Sequence, residues 1–264
     1  MRVTFADFGP YLASARLRAK IPQRELAKMG ILKGNDVLIY GKHWLTDRLL
    51  EGFKTLVYDV CDDHFNNKER GQYYRRHTLM ADVVTCNSET MRQRILDETG
   101  RKAVVIPEPY ESQEGTPKIG PNLLWFGHKL NLVDLDRIKY QFKHPLTVLS
   151  NHPDCTKWSP EAYQREIAKD CIVVIPTGKS LAKSENRMVE AIRCGRYVCA
   201  EPLPSYAPFD IYFPLGDIPK HIDRALANPQ DSIQRIKDAQ AHIRDKYSPR
   251  TIAEKWLEVL HGTC

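Results

Sequence analysis

Short apolar runs alternate with amphipathic stretches along the whole chain. The run CIVVIP at 171–176 is apolar throughout, which is typical of a strand buried on both faces of a parallel sheet. The stretches between such runs have helical spacing of apolar residues, and one of them follows Ser88, a good N-cap residue. Strands separated by helices predict βαβ units, and therefore an α/β fold with parallel sheets and right-handed crossovers.

The predicted strands form two groups. They lie at 2–7, 36–41, 55–60, 82–87 and 102–107 in the first group, and at 122–127, 146–150, 171–176 and 196–200 in the second. Helices are expected between them, among others at 14–29 with an interruption at Pro22, at 66–80 and at 131–142. From about residue 217 onwards the spacing is helical, and Ser248 followed by Pro249 marks the start of a closing helix.

A proline-rich segment separates the two groups of strands. Residues 107–121, PEPYESQEGTPKIGP, hold four prolines and two glycines with almost no apolar residue, which is typical of a linker. We therefore expect an N-terminal Rossmann-like domain at 1–110, a linker at 111–121, and a C-terminal Rossmann-like domain at 122–264 that includes the closing helices. A ligand is expected beyond the carboxyl ends of the strands, in a cleft between the domains.

One predicted helix has a polar face with the residue types that bind a nucleotide. Lys183, Asn186, Arg187 and Glu190 recur at helical spacing, and Gly195 ends the helix. A helix N-terminus attracts anions, and Lys and Arg side chains add full positive charges that suit phosphate oxygens. The carboxylate of Glu190 suits the two hydroxyls of a ribose instead. The alternative is a set of solvated ion pairs on an exposed helix face.

Composition and charge exclude some classes of protein and leave others open. The chain has 264 residues, 42% hydrophobic residues and a formal charge of +6, and residues 1–110 hold 18 Lys and Arg against 14 Asp and Glu. This modest excess is compatible with phosphates or nucleic acid as partners but does not require them. The chain has no apolar stretch as long as a membrane span and begins without a signal peptide, so we expect a cytoplasmic protein.

The cysteines predict neither a disulfide framework nor a zinc site. There are seven, an odd number without a CxxC pair, and Cys171, Cys194 and Cys199 lie inside apolar runs. We expect these three to be buried thiols in a reducing compartment.

Several segments together resemble the retaining, group 1-like GT-B glycosyltransferases, in an unusually compact form. The matching segments are ADVVTCNSETM, VVIPEPYE, LLWFGH, WSPEAYQREIAKDCIVVIP, NRMVEAIRCGRYVCAEPLPSY and YSPRTIAEKWLEVL. The resemblance covers nearly the whole chain and depends on the order and spacing of these segments. It implies two Rossmann-like domains that face each other across a nucleotide-sugar cleft.

The resemblance also assigns donor-binding roles. It implies that Glu190 binds the donor ribose, with Asn186 beside it at the ribose or sugar. Gly127 matches the tight turn at which backbone N–H groups approach the diphosphate, and His128 and Lys129 follow it. Lys183 and Arg187 are expected to bind the same diphosphate. The family's first glutamate would fall on Ala182, so the contact that this glutamate makes with the transferred sugar is missing here.

The acceptor side is expected in the first half. The segment YDVCDDHF ends a strand, and Asp62, Asp63 and His64 stand where the family places polar groups near the reacting carbon. Ser14 and Arg16 are candidates for binding acceptor or phosphate. Two alternatives for this segment are a helix N-cap, at Asp63 or Asn66, and a metal site formed by the acidic cluster.

The sequence therefore predicts a glycosyltransferase that moves a hexosyl or pentosyl group from a nucleoside-diphosphate sugar to an acceptor hydroxyl, with retention and without a metal or other cofactor. The expected acceptor is a saccharide or cell-surface glycan precursor. One alternative is transfer to hydroxymethylated bases of DNA, for which Tyr73, Tyr74, Arg75 and Arg76 could stack on and steer the nucleic acid. Further alternatives are a non-catalytic nucleotide-sugar-binding protein and a metal-dependent hydrolase.

Overall fold

The computed structural model describes residues 1–6, 12–42, 45–178 and 181–262, which divide into two compact units. Unit 1 takes the described residues of Met1–Glu111, Ala182–Ser184 and Lys246–Cys264. Unit 2 takes those of Ser112–Leu181 and Glu185–Asp245. Each unit is built on its own parallel sheet.

The sheet of unit 1 runs in chain order. Its described strands are β1 (Arg2–Phe5), β2 (Leu32–Tyr40), β3 (Thr55–Val60), β4 (Val83–Cys86) and β5 (Val104–Val105), hydrogen-bonded in the order β1-β2-β3-β4-β5, all parallel. The helices of this unit are α1 (Ile21–Lys28), α2 (Asp47–Leu50), α3 (Lys68–Met80), α4 (Glu89–Thr99) and, much later in the chain, α10 (Pro249–His261).

The strands of unit 1 bury both of their faces, because side chains alternate across a sheet. On β2, Val37 and Ile39 join a core with Leu26 of α1 and Trp256 of α10. The alternate residues of β2 join a second core, which holds Leu50 of α2 and the apolar residues of α3 and α4. Helices α1 and α10 therefore cover one face, and α2, α3 and α4 cover the other.

This arrangement gives the sheet of unit 1 crossovers of both hands. The chain steps across the sheet in one direction from β1 to β5, but α1 lies on the face opposite α2, α3 and α4. The connection from β1 to β2 therefore has the opposite hand to those that follow. The rule of right-handed crossovers, which we expected to hold throughout, fails in this sheet.

The sheet of unit 2 is doubly wound. Its described strands are β6 (Asn122–Phe126), β7 (Leu146–Ser150), β8 (Thr156–Lys157), β9 (Cys171–Ile175) and β10 (Tyr197–Ala200), hydrogen-bonded in the order β10-β9-β6-β7-β8, all parallel. The helices are α5 (Leu132–Asp136), α6 (Pro160–Ile167), α7 (Asn186–Arg193), α8 (Ile218–Ala227) and α9 (Pro229–Lys246). The strand order reverses between β6 and β9, which is the topological switch point of this sheet.

Local signals set three helix ends as the sequence predicts. The Ser88 hydroxyl accepts the Met91 N–H at the start of α4, and the Ser248 hydroxyl accepts the Thr251 N–H at the start of α10. Gly195, with φ of 73°, follows the end of α7 in the left-handed region. The predicted helix at 14–29 is divided near Pro22 into a π-helical segment, Ala15–Lys20, and α1.

Other boundaries differ from the prediction. The helix expected at 131–142 is replaced by the short helix α5 between two 3₁₀ segments, Lys129–Asn131 and Lys139–Gln141. The short strand β8 had no counterpart in the predicted set. No helix in the described part of the chain is long and apolar enough to cross a bilayer. Cys171, Cys194 and Cys199 are buried free thiols, as predicted.

The domain boundaries also differ from those that we predicted. The closing helix α10 belongs to unit 1 and not to the second domain, because its apolar stripe, including Ile252 and Trp256, packs in the core of unit 1. The predicted linker 111–121 packs on unit 2 from Ser112 onwards. Gly115 N–H donates to the Arg193 carbonyl, and Lys118 N–H donates to the Gly195 carbonyl.

Candidate functional site

The switch point of unit 2 is the candidate ligand site. In open parallel sheets, ligands bind beyond the carboxyl ends of the strands where the strand order reverses. Here those ends are Phe126 on β6 and Ile175 on β9. The segment 127–131 follows β6, and α7 follows β9 after the segment 176–185. Most of the predicted donor-binding residues lie on these two segments or on α7.

Arg187 lies across the carboxyl end of β6. Its Nη1 atom is 3.5 Å from the Phe126 carbonyl oxygen. A Cβ atom placed on Gly127 would be 3.5 Å from Arg187 Nη1 and 3.0 Å from the Trp125 ring. Glycine at 127 therefore leaves room for the Trp125 ring, whereas a Cβ would lie at an ordinary contact distance from the guanidinium.

In the turn after β6, exposed side chains are available to a ligand, whereas two backbone N–H groups already have hydrogen-bond partners. The N–H of Gly127 donates to the Leu149 carbonyl at 3.1 Å, and the N–H of Lys129 donates to Asn151 Oδ1 at 2.8 Å. Both N–H groups therefore already have partners within unit 2, and their approach to a diphosphate stays a prediction. The imidazole Nδ1 of His128 accepts the Leu130 N–H, so the proton of a neutral ring lies on Nε2. His128 and Lys129 are both exposed.

Glu190 lies on the second turn of α7 and is mostly buried. Its Oε1 atom accepts the Ser112 N–H at 3.3 Å. The Ser112 hydroxyl in turn accepts from the Gln164 amide, at 3.2 Å. Asn186, the first residue of α7, is half-buried. Glu190, Asn186 and Arg187 thus share one short helix, as their spacing predicts.

Lys183 does not share this helix. Helix α7 begins at Asn186, and Lys183 lies in the segment 182–184, which belongs to unit 1. The prediction of a four-residue polar face is therefore wrong at Lys183. The neighbouring Ala182 is 6% exposed and packs with the aromatic core of unit 1. The position where the resembling family has a glutamate is an apolar core position here.

At the carboxyl edge of the sheet in unit 1, charged side chains form ion pairs with one another. Lys42, which follows β2, forms an ion pair with Asp62 and donates to the Ser14 hydroxyl at 3.1 Å. Ser14 is buried, whereas the Asp62 side chain is 44% exposed. Of the predicted acceptor-side residues, Ser14 and Asp62 therefore lie together, joined by a lysine that the sequence analysis did not single out.

Asp63 and His64 lie in the segment between β3 and α3. Asp63 Oδ1 accepts the Phe65 N–H at 3.2 Å, and the carboxylate pairs with Arg94 at 3.3 Å. The N-cap of α3 is Asn67 and not Asp63. His64 lies edge-on to an aromatic ring of α3, and burial lowers its pKa. Within the described residues, no group of three or more His, Cys, Asp or Glu side chains could hold a metal ion.

Two arginines at this edge form ion pairs with carboxylates of unit 1. Arg16 donates through Nε and Nη2 to the two carboxylate oxygens of Glu111, each at 2.7 Å. Arg18 is fully buried and donates to Asp59 at 2.9 and 2.5 Å. Burial alone would lower the pKa of Arg18, but the Asp59 carboxylate raises it above the usual range. The predicted role of Arg16 at acceptor or phosphate would require it to leave Glu111.

Glu108 is a further site residue that sequence reasoning missed. It is buried, and its Oε2 atom accepts from the Ser184 hydroxyl at 2.5 Å. Burial raises the pKa of Glu108. The pattern IPEP marks a strand end followed by a turn, but the contact with a residue 76 positions later cannot be read from local sequence.

The residues that suggested nucleic-acid binding have other partners. Tyr73 and Tyr74 are buried in the core of unit 1 and are not available to stack on bases. Arg75 pairs with Glu98, and Arg76 pairs with Asp47 at 2.7 Å. This stretch of α3 therefore lacks the arrangement that the DNA alternative requires.

Comparison with known proteins gives structural neighbours at low sequence identity. HepE of Anabaena, solved in complex with UDP-glucose, is similar with a TM-score of 0.59 and 14% identity, over 92% of this chain and 82% of HepE. HepE in complex with UDP gives the same values. A variant of S. aureus TarM, in complex with fondaparinux, alpha-GlcNAc-glycerol and UDP, has a TM-score of 0.57 and 16% identity, over 91% of this chain and 58% of TarM. No protein-family model and no curated protein matches the chain.

These likenesses confirm the predicted fold class. The chain is an α/β protein of the GT-B type, with a parallel sheet of five described strands in each half. At identities of 14–16% the likeness shows the fold and does not show the reaction.

Proposed function

We propose that this chain is a glycosyltransferase that moves a sugar from a nucleoside-diphosphate sugar to an acceptor hydroxyl. The observation that carries the proposal is the position of Arg187, across the carboxyl end of β6 at the switch point of unit 2. The exposed side chains of His128 and Lys129 follow the same strand. Three nitrogen-bearing side chains at this edge suit a diphosphate.

The chemistry of such a transfer puts negative charge on the leaving diphosphate as the sugar–phosphate bond breaks. Cationic groups fixed in advance stabilise that charge, and removing one such contact typically lowers kcat by a factor of about 100 to 1,000. We therefore assign Arg187 to the leaving diphosphate. Glu190 and Asn186, on the same helix, are assigned to the ribose or sugar hydroxyls.

Ligands of the structural neighbours support the choice of donor class. The HepE structures hold UDP-glucose and UDP, and the TarM structure holds UDP. A nucleoside diphosphate is the chemistry common to these ligands, and it matches the cationic edge of unit 2.

The test is a thermal-shift panel of UDP, GDP, ADP, TDP and CMP with their common sugar conjugates. At 100 times its Kd, a ligand that binds only the native state stabilises it by about 2.7 kcal/mol, so one base family should raise Tm clearly. Glu190→Ala and Arg187→Ala should reduce that shift. Arg165→Ala is the matched control, because Arg165 is an exposed arginine of α6 in the same unit. If no nucleotide changes Tm, the proposal is wrong.

A non-catalytic nucleotide-sugar-binding protein is the second candidate. The burial of Ala182 in the core of unit 1 favours it, because a carboxylate for the transferred sugar has no place there. Binding in the panel without any transfer or slow hydrolysis of the bound donor would support this candidate over the enzyme.

The finer points of the reaction are also proposals. We expect retention at the anomeric carbon, which proton NMR of the product would report, and activity that EDTA leaves unchanged. We expect a saccharide acceptor rather than DNA, because the arginines of α3 named above are paired with carboxylates. Transfer to hydroxymethylated DNA, together with binding to a heparin column that weakens steeply as the salt concentration rises, would reverse that choice.

A further inference from the structure

We propose that a groove on α3 of unit 1 binds a neutral saccharide. The groove has a volume of about 370 Å³ and is lined by Glu69, Gln72, Tyr73 and Arg76. Ligand sites of proteins have volumes of about 300–1,000 Å³, so this groove has the size of a small-molecule site. None of its residues is among the predicted donor-binding or catalytic residues. The role of the saccharide as the acceptor of the transfer rests on the proposed function, whereas its binding does not.

The four lining residues share one face of α3. Counted from Glu69 they lie at i, i+3, i+4 and i+7, a spacing that places side chains on the same face of a helix. Glu69 lies in the first turn of α3, the helix that follows the carboxyl end of β3. The groove therefore starts at the end of α3 that lies at the carboxyl edge of the sheet.

Two of the lining side chains are held in place by other parts of unit 1. Tyr73 is 8% exposed, its hydroxyl accepts the Leu45 N–H at 3.1 Å, and the centre of its ring lies 3.8 Å from that of His77. Arg76 forms an ion pair with Asp47 at 2.7 Å. Side chains that are ordered in the folded protein lose less conformational entropy when a ligand binds.

The other two lining side chains are available to a ligand. Glu69 and Gln72 are exposed, and neither side chain has a hydrogen-bond or ion-pair partner in the described part of the chain. Arg75, which does not line the groove, pairs with Glu98 instead. The polar groups of α3 that lack a protein partner therefore lie in the groove.

The mixture of donors and acceptors in the groove suits a saccharide. A glutamate carboxylate only accepts hydrogen bonds, an arginine guanidinium only donates them, and a glutamine amide does both. Arg76 bonds Asp47 through Nη2, which leaves the N–H groups of Nε and Nη1 for a ligand. Because each hydroxyl of a saccharide is both a donor and an acceptor, neighbouring hydroxyls can satisfy Glu69, Gln72 and Arg76 together.

The charges of the groove disfavour an anionic ligand. One guanidinium, Arg76, stands against two carboxylates, those of Glu69 in the groove and of Asp47 beside it. Phosphate and sulfate groups offer only acceptors, so the Glu69 carboxylate would repel them without forming a hydrogen bond. A neutral saccharide has no such penalty.

The experiment is saturation-transfer difference NMR on the full chain without nucleotide, with glucose, galactose, N-acetylglucosamine and maltose as probes. The probe with the strongest signal is then titrated into wild type, Glu69→Ala and Gln72→Ala. We expect each variant to weaken binding by about tenfold, because each loses one or two hydrogen bonds. Since the ligand is neutral, its affinity should be the same at about 50 and 200 mM salt.

Gln93→Ala is the matched control, and it should bind the probe like wild type. Gln93 is an exposed glutamine of α4 in the same unit, and its amide donates to Asp97 at 2.8 Å. The inference is wrong if no probe binds wild type, or if Gln72→Ala and Glu69→Ala bind the probe as tightly as wild type. Tighter binding of a heparin fragment or single-stranded DNA than of every neutral probe would also overturn it.

The inference and the proposed function fail separately. If a nucleoside diphosphate raises Tm but no probe binds, the groove is not a saccharide site and the proposed function stands. If a probe binds and no nucleotide does, the groove is a saccharide site of a protein that is not the proposed transferase. If both bind, Gln72→Ala should weaken the saccharide and leave the nucleotide-induced shift in Tm unchanged.

Discussion

The two units place charged residues at the carboxyl ends of their strands in opposite ways. In unit 1 the cations Arg16, Arg18 and Lys42 are each bound to a carboxylate of the same unit. In unit 2, His128 and Lys129 are exposed, and the Arg187 guanidinium lies 3.5 Å from the neutral carbonyl oxygen of Phe126. The same architecture thus gives one edge stabilised by internal ion pairs and one edge suited to an external anion.

Strand order explains part of this difference. In unit 2 the order of the described strands reverses between β6 and β9, although all of them are parallel. The loops that follow these two strands therefore diverge. The described strands of unit 1 follow one another without a reversal, so their carboxyl ends have no such gap. Polar residues at that edge are close to one another and satisfy one another.

The buried pair of unit 1 should give the largest effect. Arg18→Ala leaves Asp59 as a buried charge without its partner, and we expect it to lower the free energy of unfolding by about 3–5 kcal/mol. Urea denaturation measures this cost. Arg137→Ala is the comparison in unit 2, because Arg137 pairs with Glu201 at 2.5 Å but is half-exposed, and it should cost about 1 kcal/mol or less. Equal costs would mean that burial does not distinguish the two pairs.

The two glycines that end α4 and α7 offer the next contrast. Gly100 and Gly195 both have positive φ, at 71° and 73°. A Cβ on Gly195 would be 2.5 Å from the Thr116 carbonyl oxygen, whereas nothing lies within 4 Å of one on Gly100. We expect Gly100→Ala to cost about 1 kcal/mol and Gly195→Ala about 3 kcal/mol or more, by thermal or urea unfolding. Similar costs would show that the segment 112–118 can move away from α7.

The buried His77 of unit 1 should make the free energy of unfolding sensitive to acid. Burial lowers the pKa of His77 to about 4, and its Nδ1 atom is 3.1 Å from the Tyr40 hydroxyl. An unfolded histidine titrates near 6.5, so between about pH 6.5 and 4 the unfolded chain binds a proton that the folded unit does not.

Stability from His77 is therefore present above pH 6.5 and lost as the pH falls towards 4, with a slope of up to about 1.4 kcal/mol per pH unit. His77→Leu removes the titrating group, and its urea unfolding curves should show a shallower loss over that range. An unchanged slope in the variant would assign the acid sensitivity to other groups.

The smallest expected effect compares the two edges directly. Asp62→Asn breaks a half-exposed ion pair with Lys42 and should cost about 0.5–1 kcal/mol. Lys129→Gln changes an exposed side chain and should alter the free energy of unfolding by less than about 0.5 kcal/mol. A larger cost for Lys129→Gln would mean that the edge of unit 2 is structural.

Features with local causes could be predicted from the sequence. The apolar runs at 171–176 and 197–200 correspond to β9 and β10, because a strand buried on both faces needs apolar residues throughout. Ser88 and Ser248 cap their helices as predicted, and Gly195 follows the end of α7. The doubled alternation of strands and helices gave the α/β class with two parallel sheets.

Features that depend on distant contacts could not be predicted in this way. Lys183 has the correct spacing for α7, but contacts of its neighbours Ala182 and Ser184 with unit 1 keep it off the helix. The role of Lys42 depends on a partner that is far away in sequence. The amphipathic pattern of α10 predicts a buried face but does not say which core receives it.

The position of α10 has a consequence for protein synthesis. A ribosome completes β1–β5 long before it reaches α10, at rates that imply a delay on the order of ten seconds. During that time the face of the nascent sheet that Trp256 later covers is exposed to solvent or to chaperones. Chains stalled before residue 246 should therefore be cleaved by protease in unit 1 more readily than chains stalled beyond α10.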